Sequence, residues 1–202
     1  MSRGLYSAGG IRPQITNRLS LEQLKGRYHP AVVLAVFGFL GGSITIGLLA
    51  LMAHVAHSPL VFPSLGPTAF LLFVKPMEPS ASPRNTILGH LVGASAGWLS
   101  LLLFGLAGVS GAALGDIGWD RLGAAALSIG VTIGVMELWN VAHAPAGATT
   151  MIVSLGLMPQ LWQLGVLMLS VAALVVLGWV INHLVAVPYP VWRAKPIQPN
   201  GS

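Results

Sequence analysis

HAPAGATT, at residues 143–150, interrupts an apolar part of the chain and decides how the chain folds. It follows the apolar stretch 122–142 and overlaps a short apolar segment at 146–158. Proline removes a backbone hydrogen-bond donor and glycine weakens a helix, so a continuous membrane helix gains nothing from having both here. The stretch therefore predicts a broken helix. Pro145 starts the short second segment, because the first position of a helix needs no N–H donor.

The composition is that of a polytopic membrane protein. Of the 202 residues, 54% are hydrophobic and only 7% are charged, and the mean hydropathy is +0.79. A soluble domain carries about 25% charged residues, so this chain cannot cover a soluble surface. Cysteine is absent, which excludes disulfides and thiolate chemistry. The net charge of +5 does not indicate nucleic-acid binding, because most basic residues lie at the two ends of the chain.

These terminal basic residues predict how the chain is oriented. The basic residues before the first apolar stretch and after the last one are Arg3, Arg12, Arg18, Lys25, Arg27, Arg193 and Lys195. By the positive-inside rule both termini lie in the cytoplasm, so the number of crossings is even. We expect an integral protein of the inner (plasma) membrane of a bacterium, with the lipid bilayer as its surroundings.

A single transmembrane domain, 29–187, lies between a cytoplasmic leader, 1–28, and a cytoplasmic tail, 188–202. In the leader, apolar residues at helical spacing over 17–28 favour a short helix at the membrane interface. A leader without fixed structure is the alternative. We expect no cleavable signal peptide, because the first apolar stretch starts only near Ala31, after a long polar leader.

Four apolar segments are long enough to span a membrane, which takes about 20 helical residues. They cover 31–53, 86–107, 122–142 and 161–186. The segments 60–74 and 146–158 are shorter and are broken by proline and glycine. The chain crosses four times if both short segments re-enter, and six times if both cross. We favour six, because the loop with Lys75 then lies inside and the loop with Asp116 outside.

The two halves of the chain resemble each other in four matched pieces. They are Thr45-Ile46-Gly47 with Thr132-Ile133-Gly134, His57-Ser58-Pro59 with His143-Ala144-Pro145, Gly66-Pro67-Thr68 with Gly147-Ala148-Thr149, and Gly97-Trp98 with Gly178-Trp179. We predict an all-α fold of two inverted repeats, 31–107 and 121–187. Each repeat has a long helix, a short broken helix and a long helix. Paired broken helices of this kind are typical of transporters and indicate the substrate site.

The two breaks predict a site for a small anion. Ser64 is placed to cap a helix that starts near Pro67, and Pro145 starts the second short helix. A helix N-terminus carries about half a positive charge and offers unpaired N–H donors. Structural kinks without a ligand are the alternative. The predicted substrate-binding residues are Ser64, Gly66, Pro67, Thr68, Ala69, His143, Pro145, Ala146, Gly147, Ala148 and Thr149, with the Thr150 hydroxyl in support.

Polar side chains near the breaks are candidates for proton coupling or polar support. His143 either relays a proton or caps the backbone, and His57 is its counterpart in the first repeat. Glu137 and Asn140 lie three apart on one helix face, and Glu137 either carries a proton or pairs with Arg84 or Arg121. His90 is left open, whereas the neighbouring Gly89 and Gly93 fit close helix packing. No metal site is expected, because His54 and His57 lack a third ligand.

Four stretches of the chain resemble the HPP family of integral membrane proteins. They are RYHPAVVLAVFGFLGG (27–42), FPSLGPTAFLLF (62–73), SPRNTILGHLVGASAGW (82–98) and HAPAGATTMIVSLG (143–156). The family commonly has His-Pro-Pro-Ala-Gly-Ala where this chain has Ala144 in the third motif. The resemblance implies four membrane spans and a transport role, which in chloroplast and cyanobacterial members is linked to nitrite. By position it implies roles for Ser64, Gly66, Pro67, Thr68, Arg84, Asn85, His90, His143, Pro145, Gly147 and Thr149.

The function expected from these patterns is a transporter or channel for a small monovalent anion such as nitrite. A pathway for a cation or neutral solute, or a non-transporting membrane assembly subunit, is the alternative. An enzyme is not expected, because the chain has neither His-Glu-x-x-His nor Gly-x-Ser-x-Gly nor cysteine. We expect no cofactor. So few helices enclose little space, which favours a homo-oligomer.

Overall fold

The computed structural model describes residues 6–7, 20–111 and 117–196. Their helices are α1 (Leu21–Arg27), α2 (Pro30–Ala56), α3 (Leu65–Val74), α4 (Pro83–Leu103), α5 (Trp119–Trp139), α6 (Pro145–Ser154) and α7 (Leu161–Leu184). A 3-10 turn, Pro79–Ala81, precedes α4. Two-residue strands β1 (Tyr6–Ser7) and β2 (Lys195–Pro196) pair antiparallel but build no core. The all-α, polytopic prediction is therefore confirmed. Most of the leader, the end of the tail and Asp116 lie outside the described residues.

Four of these helices are long and apolar enough to cross a membrane: α2, α4, α5 and α7. The two short helices, α3 and α6, have 10 residues each. At 1.5 Å per residue each covers about 15 Å, half of the ~30 Å hydrocarbon core. Each of them is therefore long enough to cross only half of the membrane, and α3 and α6 are called the half-helices below.

One end of the bundle, called the terminal face below, holds α1, the starts of α2 and α4, and the ends of α5 and α7. The Leu21 N–H donates to the Val185 carbonyl at 3.2 Å, which joins α1 to the end of α7. The Arg84 N–H donates to the Trp192 carbonyl at 2.9 Å. The Arg84 guanidinium donates to the Asn140 carbonyl at 2.9 Å, which joins the start of α4 to the end of α5.

The opposite end, called the distal face below, holds the end of α4, the start of α5, the end of α6 and the start of α7. The Gly108 N–H donates to the Pro159 carbonyl at 3.1 Å, which joins the loop after α4 to the loop before α7. The Arg121 guanidinium donates to the Val109 carbonyl at 3.3 Å, which adds the start of α5.

The path between the two faces sets the number of passes. α2 starts at the terminal face, and its 27 residues reach about 40 Å away from it. The segment containing α3 returns from there to the start of α4. The segment containing α6 leads from the end of α5 to the start of α7. The chain thus makes six passes along the bundle, four of which use a full-length helix, and six crossings of a membrane stay a prediction.

The half-helix α6 lies against α4 along a row of glycines. A Cβ on Gly93 would lie 2.6 Å from the Ala146 carbonyl oxygen, and a Cβ on Gly97 would lie 2.8 Å from the Val153 side chain. A Cβ on Gly89 would likewise lie 2.7 Å from the Cβ of His143. The predicted close packing at these glycines is confirmed, and it brings the backbones of α4 and α6 into contact.

The half-helix α3 packs against α2 and α7 in the main apolar core. Gly41 of α2 accommodates the ring of Phe73, and Gly178 of α7 accommodates Leu72. The contact of Gly178 with Leu72 has a counterpart in the contact of Gly97 with Val153, since 178 − 97 = 153 − 72 = 81. The same offset relates the matched pieces Gly66-Pro67-Thr68 and Gly147-Ala148-Thr149. The inverted repeat remains an interpretation, which this pair of contacts supports.

Candidate functional site

The N-terminal turns of the two half-helices meet at a fully buried polar cluster. Thr68, in the first turn of α3, has its Oγ1 3.0 Å from Nε2 of His90 and 3.3 Å from Nε2 of His143. Thr149 of α6 has its Oγ1 2.7 Å from Nδ1 of His90. These four side chains have no exposed surface. We call them the histidine cluster.

Threonines from the two half-helices thus contact both ring nitrogens of one imidazole. Thr68 and Thr149 end the matched motifs Gly66-Pro67-Thr68 and Gly147-Ala148-Thr149. His90 stands between them, seven residues into α4. His90, whose role the sequence left open, is therefore the centre of the histidine cluster.

The second imidazole is fixed by the turn before α4. His143 Nδ1 lies 2.7 Å from the Ser80 carbonyl oxygen. The Tyr189 hydroxyl donates to the next carbonyl, that of Ala81, at 2.7 Å. Burial raises the pKa of the Tyr189 phenol, so this donor keeps its proton. Since a carbonyl oxygen only accepts, the proton of a neutral His143 lies on Nδ1.

Every ring nitrogen of the histidine cluster has a hydrogen-bond partner when both imidazoles are neutral. His143 Nε2 is then an acceptor, 3.2 Å from Nε2 of His90. His90 Nε2 donates to it, and His90 Nδ1 accepts from Thr149. The Thr68 hydroxyl donates to the Ser64 carbonyl at 2.9 Å. Each ring nitrogen has a partner without any added proton.

Acidic side chains do not contact the histidine cluster within the described part of the chain. Glu78, two residues before the Ser80 carbonyl that binds His143, pairs with Lys75 at 3.0 Å and accepts from the Ser80 hydroxyl at 3.4 Å. A proton added to either imidazole would therefore lack a protein counter-charge. Burying an uncompensated charge is costly, so protonation of this site favours a bound anion.

The expectation of unpaired N–H donors at the breaks is wrong for Ala146 and Gly147. The Ala146 and Gly147 N–H groups donate to the carbonyls of His143 and Ala144, each at 3.0 Å, and the Leu65 N–H donates to Phe62 at 2.9 Å. Ala144 is itself helical, with φ −52° and ψ −37°, so a tight turn extends α6 backward over its own donors. The N-terminal end of the helix remains electropositive, but these N–H groups already donate to backbone carbonyls and are not available to an anion.

Ser64 does not cap α3 as predicted. It has helical backbone angles, its side chain makes no cap hydrogen bond, and α3 already begins at Leu65. Its Oγ is buried without a partner among the described residues, next in the chain to the turn that carries Thr68. Pro145, in contrast, starts α6 as predicted. Ser64 therefore supplies an unused hydroxyl near the histidine cluster.

Four predicted residues line an open groove between the half-helices. The groove of about 590 Å³ is bordered by Gly66 and Pro67 from α3 and by Pro145 and Ala148 from α6. Three other small residues of the prediction have different surroundings. Ala69 is buried in the core, Ala146 is buried against Gly93 of α4, and Gly147 faces Ile129 of α5.

Three predicted support residues do not join the histidine cluster. His57 and Asn140 are exposed and end α2 and α5 with left-handed backbone, at φ 48° and 53°. Glu137 is also exposed, and within the described residues it forms an ion pair with neither Arg84 nor Arg121. Arg84 instead binds the carbonyls that end α5. The proposed equivalence of His57 with His143 therefore fails in three dimensions.

Two features of the site escaped the sequence reasoning. Thr132 of α5, taken only as a repeat marker, has its Oγ1 2.8 Å from that of Thr150. Its spacing of four from Ser128 would have indicated a polar helix face. The Ser80 carbonyl, and Tyr189 which fixes its turn, had no sequence signal because the contacts join residues far apart in the chain.

The fold and this cluster define an integral membrane protein with a buried polar site at the ends of two half-helices. The sequence profile described as HPP, transmembrane region, matches residues 27–190. The chain belongs to the HPP family. It is 31% identical over 108 residues to a transmembrane protein of Dictyostelium discoideum. These 108 residues make up 54% of this chain and 34% of that protein. The chain thus spans about a third of this relative. No solved structure matches it.

Proposed function

We propose that this protein transports a small monovalent anion such as nitrite, and that the anion binds at the histidine cluster. One observation carries the proposal: the N-terminal turns of α3 and α6 come together at two buried imidazoles, and no acidic side chain of the described residues bonds to either ring. Each helix end contributes about half a positive charge. The two ends together favour one negative charge in a place shielded from water.

Proton coupling is part of the same proposal. In the neutral state, the N–H and O–H groups of the histidine cluster already donate within the protein, so none is left to donate to an anion. A proton on His90 or His143 converts an acceptor nitrogen into a donor and adds a positive charge. An anion then balances this charge and accepts the new hydrogen bond. Anion and proton therefore bind together, and the transported pair is electrically neutral.

The test is uptake into proteoliposomes that contain the purified protein. Nitrite outside at pH 6 and a pH 7.5 interior should give rapid nitrite accumulation, measured by a colorimetric assay. Uptake should persist when a potassium ionophore clamps the membrane potential at zero, because the pair carries no net charge. Absence of nitrite, nitrate or other small-anion flux at any pH would contradict the proposal.

A non-transporting assembly subunit is a second candidate, because the closed network of the histidine cluster also suits a purely structural role. The two candidates differ in one result. A structural network predicts that substitutions in it change thermal stability without any anion flux in the wild-type protein. The cation pathway loses its main support, since Glu137 lies on the exposed surface.

A further inference from the structure

A line of buried hydroxyls continues from the histidine cluster into the interface of α5 and α6. Thr150, next to Thr149 in α6, has its Oγ1 2.8 Å from Oγ1 of Thr132 in α5. Each threonine also donates within its own helix, Thr150 to Ala146 at 3.0 Å and Thr132 to Ser128 at 2.8 Å. Neither side chain is exposed. The polar surface of the cluster therefore does not end at His90.

Two serines lie one helical turn further toward the distal face. α5 and α6 run in opposite directions, so Ser128, four before Thr132, and Ser154, four after Thr150, lie at the same level. Both serines have no exposed surface. The Ser154 hydroxyl is without a hydrogen-bond partner in the described ranges. A buried, unused hydroxyl costs free energy unless something binds it.

Arg121 stands at the distal end of this line. Only 8% of the residue is exposed, although it carries a full charge. The Nη2 nitrogen of the guanidinium donates to the Val109 carbonyl, while Nη1 has no partner among the residues that the structure describes. Gly156, at φ +76°, lies directly against it, and a Cβ there would overlap the guanidinium. A buried arginine with a free N–H group is a ready anion ligand.

The corresponding positions of the first repeat are apolar. The offset of 87 between α2 and α5 relates Ser128 to Gly41, and the offset of 81 between α3 and α6 relates Ser154 to Phe73. Gly41 and Phe73 are in contact, and the Phe73 ring packs edge-on against Phe37 with 5.8 Å between centroids. Only the α5–α6 half therefore carries hydroxyls at this level, while the other half is filled by aromatic rings.

We propose that Arg121 and Ser154 form a second anion-binding site at the distal end of the α5–α6 interface. Resting on the proposed function, this site receives the same small monovalent anion. The hydroxyls of Ser128, Thr132 and Thr150 then lead the anion to the histidine cluster. Arg121 also lies at the C-terminal end of α6, where its charge offsets the negative end of the helix dipole that would otherwise repel the anion.

The experiment compares nitrite uptake by R121Q, R121K and S154V proteoliposomes with uptake by the wild type. R121Q should raise the KM for nitrite about tenfold or more, the effect of losing one charge-assisted hydrogen bond, while R121K keeps much of the affinity. S154V should also raise the KM for nitrite, but by less than R121Q does, because the lost hydrogen bond comes from a neutral hydroxyl. R27Q on exposed α1 and S170V on α7 are the matched controls, and both should transport like the wild type.

Failure of the proposed function and failure of the second anion site give different results. If the wild type shows no flux, the proposed function has failed. If the wild type transports and R121Q and S154V match their controls, the second site is refuted. Asp116 precedes Arg121 by five residues in the sequence, so D116N is included. If D116N reproduces the loss seen with R121Q, Arg121 belongs to an ion pair and the site is refuted. If R121Q does not fold, S154V against S170V decides.

Discussion

Thr68 and Thr149, 81 residues apart and in matched motifs, bind the two ring nitrogens of the same imidazole, His90. One threonine comes from each half-helix, so the histidine joins the two sequence halves at the centre of the molecule. Changes at either threonine therefore test both the fold and the site.

Replacing Thr149 with valine should destabilise the protein by about 1–3 kcal/mol, because it leaves a buried ring nitrogen of His90 without its donor. The change keeps the size and shape of the side chain, so packing is preserved. The thermal midpoint in detergent should fall, and nitrite uptake should fall with it. T45V is the matched control, because the Thr45 hydroxyl is buried but bonds only within α2. A midpoint equal to that of T45V would contradict the role of Thr149.

Alanine at Gly93 should destabilise the contact of α4 with α6 by about 1–3 kcal/mol, the usual cost of overpacking. Its Cβ would lie 2.6 Å from the backbone oxygen of Ala146, which cannot move without shifting α6. Gly134 of α5 has open space around it and is the control, because alanine there meets nothing. Thermal unfolding of the two variants measures the difference. Equal midpoints would show that α4 and α6 are less closely packed than described.

Phenylalanine at Tyr189 should cost about 1–3 kcal/mol at pH 8, because the Ala81 carbonyl loses its buried donor. The raised pKa of Tyr189 adds a pH dependence. Above about pH 10 the phenol ionises in the unfolded chain but not in the folded one, so the wild type loses stability there. Y189F has no such group, and its disadvantage should shrink at pH 10.5. Unfolding at the two pH values tests this, and a constant difference would contradict it.

Asparagine at His143 should separate folding from proton coupling. Its amide nitrogen takes the place of Nδ1 and keeps the bond to the Ser80 carbonyl, while the titratable Nε2 is lost. We expect a folded protein whose nitrite uptake no longer responds to an inward proton gradient. H57N is the control, because His57 is exposed and its left-handed backbone suits asparagine. Unchanged coupling in H143N would exclude His143 as the proton carrier.

Several elements of the fold follow from local sequence. The long apolar stretches predict the four spanning helices, and Pro145 predicts the start of α6 to the residue. These features are local, because helix length and a missing N–H depend on neighbouring residues alone. The glycines of α4 likewise indicate close packing, although the sequence does not say against which helix.

The site was predicted in part. Thr68, His143 and Thr149 belong to the histidine cluster, whereas His57 and Glu137 do not. The errors have one physical cause: matching positions in two repeats do not ensure matching surroundings. α5 ends seven residues after Thr132, but α2 continues for eleven after Thr45, so His57 is carried to the surface.

The sequence by itself determined that the chain is a membrane protein with two broken half-helices, because hydropathy and backbone breaks are written in consecutive residues. Only the tertiary structure decided that the broken ends meet at His90, and that the donors of Ala146 and Gly147 are already used. Hydrogen bonds between residues far apart in the chain depend on how helices pack. That packing decides which side chains stand together in the buried interior.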